Sequence, residues 1–171
     1  MRRHVTTFYR WLNNLGMKRY GYSVDITASL TYADVREIME MAKWDLKQAE
    51  FYFDLLTYAK ERRDYKEYLF ISQKTWQSFK NGSRDGYLLR RSQAILEGLI
   101  ECITPYQSRN VDPSLISRQN VYRIKYEFKE GIEIGRGKNI KKAIAEIYSK
   151  EELRRRFTRD VYQEIVGIRK R

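Results

Sequence analysis

The stretch TYADVREIMEMAKWDLKQAEFYFDLLTYAKERR, Thr31 to Arg63, decides the reading of the fold. Its apolar residues recur at Val35, Ile38, Met39, Ala42, Leu46, Ala49, Phe53 and Leu56, the spacing of one helix face. A second series, Met41, Trp44, Phe51, Leu55 and Tyr58, is displaced from the first by about a third of a helical turn. Two stripes predict a helix covered from two sides, inside a bundle or between a bundle and a neighbouring subunit. Thr31 is placed to cap it, with Asp34 three residues on, and Asp34 and Glu37 suit the positive helix start. Unbroken, it would run roughly 45–50 Å.

Working outward, Val5–Leu15 has Phe8, Trp11, Leu12 and Leu15 on one helical face, stopped by Gly16, and residues 16–30 read as an extended connection. After the central helix, Asp64 is placed to cap a third helix reaching Lys80, with Tyr65, Leu69, Trp76 and Phe79 inward. A fourth is expected from Asp85 to Ile103, ended by Thr104-Pro105. A fifth opens at Asp112-Pro113 and continues to Glu130. Residues 132–139, IEIGRGKN, are the one place suited to a short strand or hairpin edge. Asn139 caps a sixth helix, and Ser149 with Glu152 forms a capping box for a seventh extending through Ile165. Valine, isoleucine and threonine gather into no alternating run of strand length. The expected fold is all-α: a helical bundle with a long central helix, a basic N-terminal arm and a basic helical C-terminal region. The corresponding divisions are 1–30 for the arm or first helix, 31–108 for the bundle core, and 109–171 for the C-terminal region packed on it.

The net charge of +12 is unevenly placed. Residues 1–30 hold five Lys/Arg against one acid, and residues 132–171 hold twelve against six, leaving the middle close to balance. Basic ends on a nearly neutral middle favour a polyanionic partner, of which nucleic acid is the commonest. Cys102 stands alone in an apolar pattern and reads as a small core residue without an internal disulfide partner. No signal peptide is read at the N-terminus, and no apolar run approaches the ~18 residues of a membrane span. A soluble protein of the cytoplasm or nucleoid is expected.

The inventory for catalysis is thin. His4 is the only histidine, which removes Ser-His-Asp, Cys-His and His-rich zinc sites. A carboxylate-only metal site would need Asp and Glu brought together in three dimensions. The acids here pair along helix faces instead, as Glu40 with Lys43 and Lys47 with Glu50. The expectation is a non-enzymatic chain without metal or cofactor.

Two basic motifs suit phosphates. In Gly135-Arg136-Gly137-Lys138-Asn139, glycines allow close backbone approach and the following helix aims free N–H groups the same way. Arg136, Gly137, Lys138, Lys141 and Lys142 are the candidate contacts. The motif is no Walker loop, since Ile132 stands where its first glycine is required and Asn139 replaces Ser/Thr. Its plainer reading is a glycine turn before a helix. On the seventh helix, Arg155 and Arg159 share a face suited to tracking a backbone rather than reading bases. Fourteen tyrosines and three tryptophans suit either stacking on bases or large subunit interfaces.

Two resemblances follow from these residues. The pattern AKWDLKQAEFYFDLL…RRDYKEYLF is similar to the helix-pair opening of HEPN domains, but their catalytic histidine is absent, so only a helical hairpin is implied. The layout of basic aromatic arm, near-neutral bundle and basic tail resembles the coat proteins of filamentous archaeal DNA viruses. That resemblance implies a virion protein that polymerises on DNA rather than RNA, as a filament with itself or a paralogous subunit. Arg2, Arg3, Arg10, Lys18 and Arg19 would be among its phosphate contacts. The alternatives are a sequence-specific regulator of winged helix-turn-helix type using residues 132–160, and a helical nuclease or ribonuclease subunit.

Overall fold

The computed structural model describes residues 29–103, 119–135 and 138–167. In chain order these form α1 (Tyr32–Met41), α2 (Leu46–Lys60), β1 (Leu69–Ser72), α3 (Gln73–Ser78), α4 (Gly86–Leu96), β2 (Ile100–Cys102), β3 (Gln119–Ile124), α5 (Ile140–Ile147), α6 (Lys150–Arg156) and α7 (Arg159–Gly167). The strands make an antiparallel sheet of order β1-β3-β2, so the all-α expectation is overturned and the fold is mixed. The Val5–Leu15 helix and the Asp112-Pro113 helix start lie outside the described residues.

The expected long central helix is two helices. Its start is as the sequence suggests: Thr31 Oγ1 accepts from the Asp34 N–H at 3.1 Å, and the Asp34 carboxylate accepts from the Thr31 N–H at 3.0 Å. The helix then stops at Ala42. The Lys43 N–H donates to the Glu40 carbonyl at 3.0 Å and the Trp44 N–H to the Met39 carbonyl at 2.9 Å, the paired bonds of a Schellman ending. Lys43 (φ 53°) and Trp44 (φ 61°) are both left-handed, a conformation usually given to glycine, so no breaker residue marks the turn. Asp45 caps α2 by accepting from the N–H groups of Lys47 and Gln48. Only α2 is covered from both sides, with Ala49, Phe51, Leu55 and Leu56 fully buried.

Three further predicted helices are cut short or replaced. The Asp64–Lys80 helix is a turn, then β1 and α3. Leu69 and Ile71 face inward while Phe70 faces out, and Leu69 pairs with Tyr122 across the strands. The fourth helix ends at Leu96 instead of Ile103. Gly98 (φ 81°) donates to the Ile95 carbonyl and Leu99 to the Ala94 carbonyl, a second Schellman ending that turns the chain into β2. The stretch expected as the end of a fifth helix contains β3, whose Tyr122 and Ile124 point into the core. Among the described residues of 132–139, pairing amounts to one bridge between Glu133 and Thr31, beside backbone bonds from Tyr32 to Ile132 and from Ile134 to Leu30. Asn139 caps α5 as expected, its side chain accepting from the Lys142 N–H at 2.9 Å. The seventh helix is divided after Arg156 into α6 and α7 by Phe157 and Thr158.

Trp76 centres the core between helix and sheet. It stacks on Phe51 at 5.7 Å and meets Phe79 and Tyr122 edge-on at 5.7 and 5.4 Å. Gly82 passes so close that a Cβ there would sit 2.2 Å from the Trp76 carbonyl oxygen.

Buried phenols make this core sensitive to alkali. Burial pushes Tyr52 and Tyr122 up to about 12, and burial together with the Asp34 carboxylate raises Tyr126 as well. In the unfolded chain these groups ionise near ~10. Their contribution to stability is therefore complete below about pH 10 and declines as pH rises toward the folded values. Urea unfolding across this range should show the midpoint falling above about pH 10, and Tyr52→Phe with Tyr122→Phe should flatten that fall.

Candidate nucleic-acid interface

The described basic candidates lie on α5, α6, α7 and the segment just before α5. Lys138 is held by the segment that precedes α5: its ammonium donates to Glu146 at 2.7 Å and reaches the Tyr32 hydroxyl at 3.4 Å. The hydrogen bonds to Glu146 and then Tyr32 raise its pKa. Lys141 is paired with Glu164, tying α5 to α7. Lys142 is exposed, as are Arg155 and Arg159. Arg155 donates to Glu152 at 2.6 Å, whereas Arg159 has no ion pair with a described residue. A Cβ on Gly135 would meet only the Lys138 side chain at ordinary contact distance. Arg2, Arg3, Arg10, Lys18, Arg19, Arg136 and Gly137 lie outside the described residues.

The structure assembles a second group that the sequence reading did not bring together. Arg36 lies over the Tyr148 ring at 5.2 Å, and Tyr148 meets Trp44 edge-on at 4.8 Å. Arg156 covers Trp44 at 4.8 Å while also pairing with Glu152 at 3.4 Å, and Phe157 closes the cluster 5.5 Å from Trp44. Arg154 lies over Tyr162 in the same way. The left-handed turn presents Trp44 to the ends of α5 and α6, so the group depends on the break between α1 and α2. Spacing gave no sign of it, because its members come from residues 36, 44, 148, 156 and 157. Its rings and guanidiniums already satisfy one another, so it fastens α6 to α1 and leaves the arginine heads at the surface.

Several cations of the described residues are already paired with acids, Lys138 with Glu146, Lys141 with Glu164 and Arg155 with Glu152.

A groove of about 480 Å³ between α2 and α4 has a mixed lining, with Leu89 beside Gln48, Asn81 and Arg90. Arg90 spans its wall, donating to the Asn81 carbonyl at 2.9 Å and to Gln48 at 3.0 Å. Among the described residues there is no grouping of three His, Cys, Asp or Glu suited to a metal ion. No described helix is long and apolar enough to cross a membrane.

No protein-family model, curated protein or solved structure matches the chain. Its class is therefore stated from its own architecture: a mixed domain in which helices pack on a three-stranded antiparallel sheet.

Proposed function

We propose that this is a non-enzymatic nucleic-acid-binding protein that coats or packages DNA, gripping it through basic ends and assembling through its folded body. The observation that carries the reading is the distribution of charge along the sequence: residues 1–30 hold five Lys/Arg against one acid and residues 132–171 twelve against six, leaving the middle close to balance. Lys138, Lys141, Arg155 and Arg156 support it from the other side, since their pairing with Glu146, Glu164 and Glu152 reduces what the body offers a phosphate. Exposed Lys142 and Arg159 remain as auxiliary contacts.

A sequence-specific regulator using residues 132–160 has less support. The exposed residues there include Glu151 and Asp160 beside Arg155 and Arg159, and carboxylates oppose entry into a groove lined by phosphates.

The test compares the full chain with a variant beginning at Ser29, by anisotropy on two unrelated duplexes and a single strand over a salt series. Ser29 is the right boundary because its hydroxyl donates to the Ile134 carbonyl at 2.7 Å and Lys60 donates to its own carbonyl at 2.9 Å. Leu30, beside it, is buried. The full chain should bind both duplexes alike with a steep salt dependence. Removing residues 1–28 should reduce the slope by up to about four or five contacts. Binding that is weak and indifferent to salt, or confined to one duplex, would refute the proposal.

A further inference from the structure

The turn between α1 and α2 holds a backbone that its residues do not favour. Lys43 (φ 53°) and Trp44 (φ 61°) are consecutive left-handed residues, and their β-carbons make costly a conformation that glycine adopts freely. The same stretch is well suited to remain helical. Residues 31–60 contain no glycine or proline. Val35, Ile38 and Ala42 continue in helical phase into Leu46, Ala49 and Leu56, and all six are buried. Two sets of contacts hold the bend. Asp45 accepts from the N–H groups of Lys47 and Gln48 at 3.1 and 3.4 Å, and Trp44 packs on Tyr148 and Phe157. The pattern along the chain favours one helix over residues 32–60 instead.

The bonds that dock α1 select what can receive it. Asp34 accepts from the Tyr126 hydroxyl at 2.6 Å and the Lys129 N–H at 2.8 Å, and Tyr32 donates to Glu146. These partners stand 92 to 114 residues further along the chain. Only residues 42–45 join α1 to α2 covalently. A second copy of the chain presents the same donors and acceptors in the same places, and a protein of different sequence does not.

We propose that this turn is a hinge for domain exchange: residues 42–45 become helical, α1 and α2 join, and α1 of each chain docks in the place of α1 on a second copy. The bonds of Asp34 and Tyr32 are then re-made between chains, so the dimer leaves none of these groups unsatisfied. The joined helix removes both left-handed residues, at the loss of the Asp45 cap and the Trp44 ring contacts. Those contacts must open first, so exchange is slow in the folded protein and proceeds when the chain is loosened. The exchange needs no nucleic acid and stands or falls separately from the function proposed above.

The full chain, held in mild urea at several concentrations until the ratio of monomer to dimer is constant, should give a dimer by sedimentation velocity once the urea is removed. Substitutions at two exposed positions of the hinge should move the association constant in opposite directions. Lys43→Gly favours the left-handed turn and disfavours the helix, and should lower the constant by about a hundredfold, tenfold for each of two hinges. Asp45→Ala removes the cap of α2 in the bent form and should raise it by about 25-fold, fivefold for each hinge. Spin labels at Arg36→Cys and Glu61→Cys, in a Cys102→Ser background diluted into unlabelled chains, report the distance within one chain. The bent form keeps these ends of α1 and α2 together, as the bond from Lys60 to the Ser29 carbonyl at 2.9 Å shows, whereas a joined helix sets the labels roughly 37 Å apart. A chain that stays monomeric at every concentration overturns the proposal. So does a dimer indifferent to the two hinge substitutions, or one whose labels keep the distance of the bent form.

Discussion

Asp34→Ala should lower the stability of the folded chain by about 3–5 kcal/mol, one of the two largest losses expected from a single substitution. Asp34 is fully buried, and its carboxylate collects three donors: the Thr31 N–H at 3.0 Å, the Tyr126 hydroxyl at 2.6 Å and the Lys129 N–H at 2.8 Å. Thr31 Oγ1 adds a bond to the Lys129 carbonyl at 3.0 Å, so the start of α1 and the chain after β3 are joined at one point. Alanine leaves three donors without this acceptor, two of them buried, and that desolvation cost exceeds the net value of the bonds themselves. Asp34→Asn should fall between, because its amide can accept at one atom but turns a donor toward another. Tyr126→Phe removes a single bond and should lose only about 1–2 kcal/mol. Chemical denaturation of the three variants gives the ranking, and an Asp34→Ala chain as stable as the parent would show that this junction contributes little.

Trp76→Ala should lose a similar amount, about 3–5 kcal/mol, through the cavity it leaves. Trp76 is fully buried between Phe51 on α2, Phe79 after α3 and Tyr122 on β3, so the void opens where helix meets sheet. The Gly82 backbone lies against the Trp76 carbonyl, limiting how far the chain can collapse into the space. Trp76→Phe should lose less, and the thermal midpoints of both variants should follow the same order. A Trp76→Ala midpoint within a degree or two of the parent would place the centre of the core elsewhere.

Three helix starts are legible in the sequence from their side-chain caps, although Asp45 and Ser72 cap helices whose starts the spacing did not place. Thr31, Asn139 and Ser149 each accept the helix-start N–H expected of them. What escaped has three physical causes. The break after α1 is made by lysine and tryptophan in a glycine-like conformation, and nothing in their identity announces it. Gly98 does announce a stop, but the apolar residues Leu99, Ile100 and Ile103 continue the helical spacing past it. The strands are short: β2 has three residues and β1 four, too few for alternation to stand out against a 3–4 period. Pairing with β3 decides their conformation, and a local pattern does not contain that information. The basic candidates illustrate the same limit. Glu152 beside Arg155 is visible as an i,i+3 neighbour, while the acids that hold Lys138 and Lys141 stand eight and 23 residues away.

The order β1-β3-β2 puts the last-made strand in the middle. During synthesis the ribosome delivers β1 and β2 first, and neither hydrogen-bonds to the other in the finished sheet. Both therefore wait with bare edges until Gln119–Ile124 has cleared the exit tunnel. Leu69, Ile71 and Ile100 have no sheet to belong to before then, and Trp76 lacks the Tyr122 side of its cluster. Emergence of Ile124 from the tunnel is thus the earliest point at which the sheet can close. Before it, the growing polypeptide holds two aliphatic strand segments with nothing between them.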